Sequence, residues 1–257
     1  MKKVLLASVA LAVLGTATSA SAADLAPRPY TKAPPLIAAA YDWSGFYIGI
    51  NGGYGSSRKC WDLVALPGAT FNPALDQGCH DADGGTAGGQ VGYRWQSASW
   101  VFGLEAQGNW ADFRGSNINV LGGGAFVAAG LRDETRVRAF GLFTGQVGYA
   151  WNNTLLYVKG GAAVTDDQYR TFSAAGALID SANETRWGAT AGVGLEYGFA
   201  PNWSAGVEYN HLFMGRHNID ATTPTGAFSA TDRVRQDADI ITARINYRWG
   251  GPVVARY

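Results

Sequence analysis

From Phe46 the chain alternates between large apolar residues and small or polar ones. Phe46, Ile48, Ile50 and Tyr54 fall on one face, and Tyr47, Gly49, Asn51 and Gly53 on the other. A period of two makes this a strand whose faces meet different surroundings. The pattern recurs over Thr86 to Trp95, Trp100 to Trp110, Arg136 to Trp151, Thr154 to Val164, Arg186 to Phe199, Trp203 to Phe213 and Asp239 to Trp249. It is sharpest over Arg186 to Phe199, where Trp187, Ala189, Ala191, Val193, Leu195, Tyr197 and Phe199 oppose Arg186, Thr190 and Glu196. It is least regular over Thr154 to Val164, where Leu155 and Tyr157 point inward with Lys159. Over Arg136 to Trp151, alternation puts Val137 and Ala139 outward and Arg136, Arg138, Thr144 and Gln146 inward.

The connections alternate too. Gln96–Ser99, Asn152-Asn153 and Ala200–Asn202 read as tight turns, whereas 56–83, 111–135, 165–185 and 214–238 are polar and read as long loops. Short turns at one end and long loops at the other describe an up-and-down barrel of the outer-membrane kind. A soluble sandwich gives no reason for that order. The aromatics point the same way. Tyr93, Trp95, Trp100, Phe102, Tyr149, Trp151, Tyr197, Phe199, Trp203, Tyr247 and Trp249 stand beside the short turns, and Tyr54, Trp110, Trp187 and Phe213 stand near the long loops. All share the outward parity, as two interfacial girdles would. The expected fold is all-β: an eight-stranded antiparallel up-and-down transmembrane β-barrel over residues 43–249.

Composition agrees. Charged residues are 16% of the chain, below the ~25% of ordinary globular domains, and no stretch approaches the ~20 apolar residues of a spanning helix. The formal net charge of zero leaves no nucleic-acid footprint. Residues 1–22 read as a signal peptide, with Lys2 and Lys3, an apolar run from Val4 to Leu14, and Ala20-Ser-Ala22 as the cleavage site. Pro27, Pro29, Pro34 and Pro35 make 23–42 an extended periplasmic linker, and 250–257 is a short C-terminal tail after Trp249. Cys60 and Cys79 are the only cysteines; in an exported chain a lone pair within one loop reads as a disulfide.

The opening W-S-G-F-Y-I-G-I-N-G-G-Y-G at 43–55 follows an A-D-L…P-P linker. G-x-V-G-Y-x-W recurs at Gly89 to Trp95 and Gly145 to Trp151, and the chain ends N-Y-R-W-G-G-P-V-V-A-R-Y. On these motifs the whole mature chain resembles the porin-like outer-membrane β-barrel proteins of alphaproteobacteria, the twenty-five and thirty-one kilodalton major outer-membrane proteins of rhizobia and their relatives. The resemblance implies an abundant eight-stranded barrel serving envelope integrity and surface exposure. Some relatives are called porins and at least one is described as binding haem. The family brings no catalytic motif and no enzyme activity.

Candidate chemistry lies inside. Arg94, Glu105, Arg138, Lys159, Glu196, Glu208, Arg244 and Arg248 take the inward parity. They fit either an ion-selective pore or a neutralising network. Eight strands leave an interior that side chains just fill, and unpaired buried charges are costly, so a filled lumen is expected; inward glycines on three strands keep a narrow pore for small solutes open. His80, His211 and His217 are the candidates for a haem ligand, and the first and last read as loop residues. No Ser lies two residues from His211 on its face, which disfavours a His–Ser deacylase. Gly122-Gly-Gly124 lacks the Lys and helix of a phosphate loop. No cofactor or metal is expected. The expected partners are outer-membrane lipid, lipopolysaccharide at loop residues such as Arg58 and Lys59, and the barrel-assembly machinery during insertion. Nothing in the pattern specifies an oligomer.

Overall fold

The computed structural model describes residues 41–121 and 129–249. The expected signal peptide, nearly all of the linker, the Gly122–Gly124 run and the C-terminal tail lie outside the described residues. Eight strands follow one another: β1 (Gly45–Leu66), β2 (Ala69–Ser97), β3 (Trp100–Ile118), β4 (Arg132–Trp151), β5 (Thr154–Phe172), β6 (Leu178–Ala200), β7 (Trp203–Thr222) and β8 (Phe228–Trp249). Each pairs antiparallel with its neighbours in sequence, and β1 pairs with β8 to close the barrel. Closure leaves no sheet edge, so every strand satisfies its backbone groups within the wall.

The three tight turns come at one end. Ser97 pairs with Trp100, Trp151 with Thr154 and Ala200 with Trp203. Ala98 and Asn152 take positive φ (53° and 52°), as a two-residue reversal between twisted strands requires.

The other end differs from expectation. Over their described residues, the four polar stretches read as loops are mostly strand. Ladders continue through them, as Cys60↔Cys79, Tyr169↔Ala182 and Ile219↔Asp232 illustrate, so strands reach 19 to 29 residues. Crossing a bilayer takes only ~9–11. The alternation disappears there because the outer face is polar, while backbone pairing carries on. The excess lifts the barrel roughly 30 Å above the outer aromatic level at ~3.4 Å per tilted residue.

Register shifts in β2, β4 and β7 change which residues face inward: in β2 the inward set passes from Ala82 and His80 to Gln77, and two others bear on the reading of the charges and the core. Between Val137 and Ala139 of β4 one residue is inserted. Below it Phe140, Leu142, Thr144 and Gln146 face in; above it Val137, Thr135 and Asp133 do. Arg136 and Arg138 therefore point outward, correcting the inward reading of both, and Val137 points inward. Arg138 is 41% exposed and pairs with Asp166 at 2.9 Å, while Arg136 pairs with Asp112 at 2.8 Å. A bulge breaks strict alternation, and nothing in the local sequence announces it. The second shift, between Phe213 and Gly215 of β7, changes the inward set from Leu212 and Met214 to Ile219 and Ala221.

The outward surface carries a band of exposed apolar residues, including Ile48, Val91, Leu104, Val147, Val158, Leu195 and Ile245. At its lower rim the girdle residues touch edge to face: Trp100 and Tyr149 at 5.6 Å, Trp203 and Tyr247 at 5.0 Å, Tyr247 and Trp249 at 5.4 Å. Tyr93, Trp95, Trp151, Tyr197 and Phe199 are exposed in the same rim. A water-facing protein would bury these rings; a lipid-facing one displays them.

Candidate functional site

The inside of the barrel is organised in layers, and the inward residues of β8, from Arg248 up to Ala230, pass through all of them. At the turn end, Tyr41, Trp43, Val101, Ala150, Leu155 and Tyr157 form an apolar plug. Trp43 is only 1% exposed, and its backbone N–H donates to Gln96 Oε1 at 2.9 Å. Arg248 donates to the carbonyls of Ser44 and Pro201 at 2.8 and 3.2 Å and lies over the Tyr41 ring. The chain just before β1 thus sits in the barrel mouth. Sequence periodicity missed Tyr41 and Trp43 because they precede any strand.

Above the plug lies an ionic layer built by β2, β3, β5, β6, β7 and β8. Glu105 accepts from Lys159 at 2.8 Å, from both terminal nitrogens of Arg244 at 3.0 Å, and from the Tyr47 hydroxyl at 2.6 Å. Glu208 accepts from Lys159 at 2.8 Å and Tyr157 at 2.6 Å and pairs with Arg244 at 2.8 Å. Glu196 pairs with Arg94 at 2.8 Å, and Arg94 stacks on Tyr47 at 4.5 Å. Three carboxylates face three cations, which is what burial demands: an uncompensated charge here costs several kcal/mol. The structure brings Arg94, Glu105, Lys159, Glu196, Glu208 and Arg244 into this cluster, places Arg248 in the plug below, and leaves Arg138 outside.

Next comes a chain of amides. Asn109 donates to Asn51 at 2.6 Å, Asn51 to Gln90 at 2.7 Å, and Gln90 to Asn246 at 2.7 Å. Over it lies a dry layer of Phe113, Phe140, Leu142, Leu212, Met214 and Ile240 with neighbouring alanines. A second ionic layer follows. Lys59 Nζ donates to Asp167 and Gln236, both at 2.7 Å, and Arg186 donates to Gln236 at 3.1 Å. Lys59 is fully buried, which corrects its reading as an exposed loop residue; its neighbour Arg58 is outward and exposed. Lys59 keeps the inward parity of Tyr47 and Asn51, so extending that alternation beyond Gly55 would have found it. Trp61, Tyr169, Ile219 and Val234 close the stack at the top.

The inward glycines give no free space. A Cβ at Gly92 would strike the Tyr47 ring, one at Gly194 the Tyr157 ring, and one at Gly198 the Tyr41 ring. Each of these three glycines is a seat for a tyrosine.

The histidines do not converge. His80 faces inward, within 2.7 Å of Asn117 Oδ1 and 3.2 Å of Thr135 Oγ1, not in a loop. His217 is exposed on β7. His211 Nδ1 meets Asp239 at 2.7 Å on the outer face. Ser56 is opposite Asp239 on the other side, so the carboxylate stands between hydroxyl and imidazole, the wrong order for a nucleophile–base pair. Cys60 and Cys79 are bonded across β1 and β2 at 2.05 Å on the outside of the extension.

Residues 8–248 match the outer membrane protein beta-barrel domain. The chain belongs to this family. The 31 kDa outer-membrane immunogenic protein of Brucella melitensis is 34% identical over 232 residues, covering 85% of this chain and 90% of that protein. The 25 kDa outer-membrane immunogenic protein of Brucella abortus is 26% identical over 242 residues, covering 94% and 96%. Among solved structures, the outer membrane protease OmpT of Escherichia coli aligns with a TM-score of 0.50 at 9% identity, covering 80% of this chain and 97% of that one, a likeness of fold alone. As an outer membrane protein beta-barrel, this protein resides in the outer membrane. Its apolar band faces lipid, and its long strands project from the far side of the bilayer.

Proposed function

We propose that this protein is a non-enzymatic structural barrel of the outer membrane with a closed lumen, anchoring a tall surface-exposed extension. The carrying observation is the stack itself. Hydrogen-bonded ionic layers alternate with apolar ones, and at the level of Phe113, Phe140, Leu142, Leu212 and Ile240 the buried hydroxyls of Ser57 and Thr165 are already engaged, with the Asp237 carbonyl and with Asp167. The Brucella relatives' description as immunogenic fits a barrel that displays its upper half to the outside. The outward arginines above the outer girdle, among them Arg58, Arg136, Arg216 and Arg235, stand where lipopolysaccharide phosphates would meet the wall. This reading places lipopolysaccharide contact at Arg58 and its neighbours, and not at Lys59.

Single-channel recording of the refolded protein in a planar bilayer tests the reading. The expected result is a silent protein that still shows the heat-dependent gel shift of a folded barrel. Discrete, reproducible conductance steps would overturn it in favour of a narrow diffusion channel.

A further inference from the structure

Above the Trp61–Tyr169 lid the barrel opens into a vestibule of about 240 Å³, roughly eight times the ~30 Å³ share of one liquid water. Its wall is apolar on Leu63, Leu66, Leu131 and Ile179. Its polar face gathers three carboxyls from three different strands: Asp133 of β4, Asp180 of β6 and Asp232 of β8. No Lys, Arg or His is among its described lining residues.

All three acids have local partners. Asp133 accepts from Asn119 at 3.1 Å and Thr171 at 3.3 Å, and Asp180 accepts from Ser229 at 2.7 Å. Asp232 is hydrogen-bonded to Gln77 but is not fully satisfied. It is only 6% exposed, and its Oδ1 has no hydrogen-bond partner. Gln77, equally buried, leaves its Oε1 unpartnered on the same cavity. Two buried acceptors therefore wait for a donor beside an excess of negative charge. Buried acceptors left unpaired are rare and costly. Among the described residues no three acidic, His or Cys side chains converge closely enough to ligate a metal ion, so the missing donor fits an extended, non-metal cation better than a bare ion.

We propose that the vestibule binds small amphipathic organic cations, with a primary ammonium donating to Asp232 and Gln77 and a hydrocarbon body against Leu63, Leu131 and Ile179. An ammonium brings three donors and no acceptor, matching acceptors without donors. The site stands above the lid, so it does not depend on whether the lumen conducts. The carboxyls set its pH response. Burial, with the charges of Asp133 and Asp180, pushes Asp232 up to about 8, and burial pushes Asp133 up to about 6. The charged or polar groups that line the cavity with Asp232 are Asp133, Asp180, Gln77, Asn119, Thr171 and Ser229. Asp133 and Asp232 become more negative as pH rises, while an alkylammonium stays protonated to about pH 10. Binding should therefore tighten from pH 5 to pH 8.5.

The test is calorimetric titration of the refolded full chain in lipid nanodiscs with phenethylamine, its neutral match phenethyl alcohol, and calcium chloride. Saturable one-to-one binding of phenethylamine is expected, tightening at least about tenfold between pH 5 and pH 8.5, with no saturable binding of the alcohol. Asp232→Asn should weaken the amine by about tenfold or more, the usual scale for a charge-assisted bond, with the heat-dependent gel shift intact. Leu131→Asn, which leaves the acids in place, should weaken it by a smaller factor. Equal binding of alcohol and amine, absence of saturable amine binding, an unchanged affinity in Asp232→Asn, or stronger binding of calcium than of amine would each overturn the proposal.

Discussion

Two groups of buried carboxyls share one lumen and are treated in opposite ways. Within the lipid-facing band, Glu105, Glu196 and Glu208 meet Arg94, Lys159 and Arg244 one for one. In the projecting vestibule, Asp133, Asp180 and Asp232 share a cavity whose described lining has no base. The difference follows from the surroundings. Inside the bilayer nothing can arrive to neutralise a charge, so the chain must carry its own counter-ions on neighbouring strands. Above the bilayer, protons, water or a ligand can reach the carboxyls, so the sequence can leave them unmatched.

The comparison breaks most sharply at Glu105. Replacing it with Gln leaves Lys159 and Arg244 sharing Glu208 alone. Breaking a buried ion network by removing one partner costs roughly 3–5 kcal/mol. Chemical unfolding of the refolded barrel in detergent micelles should record a loss of that size. The double variant Glu105→Gln with Lys159→Met restores neutrality and should recover a large part of it. If the double variant is no better than the single, charge balance is not what holds this layer together.

The disulfide belongs to the other region. Cys60 and Cys79 close a segment of 19 residues within the β1–β2 extension. In the chain-entropy model a loop of this size contributes roughly 3 kcal/mol. Because the bond lies above the bilayer, reduction should loosen the outer hairpin and leave the lipid-facing wall intact. Limited proteolysis with and without reductant should show faster cutting in residues 56–83 and a protected remainder. Uniform unfolding on reduction would mean that the two regions are one cooperative unit.

How much of this could be read in advance also divides along the same line. In the lipid-facing band the bilayer demands apolar residues outside and tolerates polar ones inside, so alternation is written plainly and strands, girdle and most lumen charges follow from parity. Higher up, water wets the outer face and the demand lapses. The strands around Cys60, Tyr169 and Ile219 continue without a pattern, which is why they read as loops and why Lys59 read as exposed. Arg138 failed for another reason: an inserted residue in β4 shifts parity by one, and parity arguments carry such a slip to every residue beyond it. The vestibule was invisible for both reasons. Its three aspartates lie in polar stretches on separate strands, and only register brings them together.

Protons probe the vestibule without any ligand. Asp232 is raised to about 8 and Asp133 to about 6, by burial first in each case. A carboxyl raised on folding takes up protons in the folded state, so its contribution to stability is complete below about pH 4 and is lost as pH rises through the folded values. Stability should therefore fall between pH 5 and pH 9, opposite in sign to the usual salt-bridged carboxylate. Asp232→Asn should flatten most of that slope and gain on the order of 2 kcal/mol at pH 9, since the open side of the cavity admits water that relieves part of the burial cost. Unfolding midpoints across this pH range decide the matter. A wild type that grows more stable with rising pH would show that the vestibule carries hidden compensation.

The smallest effect is also the cleanest test of the bulge. Arg138 and Asp166 meet at 2.9 Å on the outer wall, each about two-fifths exposed. Exposed pairs of this kind contribute between nothing and about 1 kcal/mol, so Arg138→Ala should shift the unfolding midpoint little, by less than about 0.5 kcal/mol. Had strict alternation held, the same substitution would empty one member of a buried pair and cost several times more. A large loss would therefore place Arg138 inside the barrel and move the inserted residue elsewhere in β4. A small one fixes the bulge between Val137 and Ala139, and with it the inward position of Asp133, on which the unmatched charge of the vestibule depends.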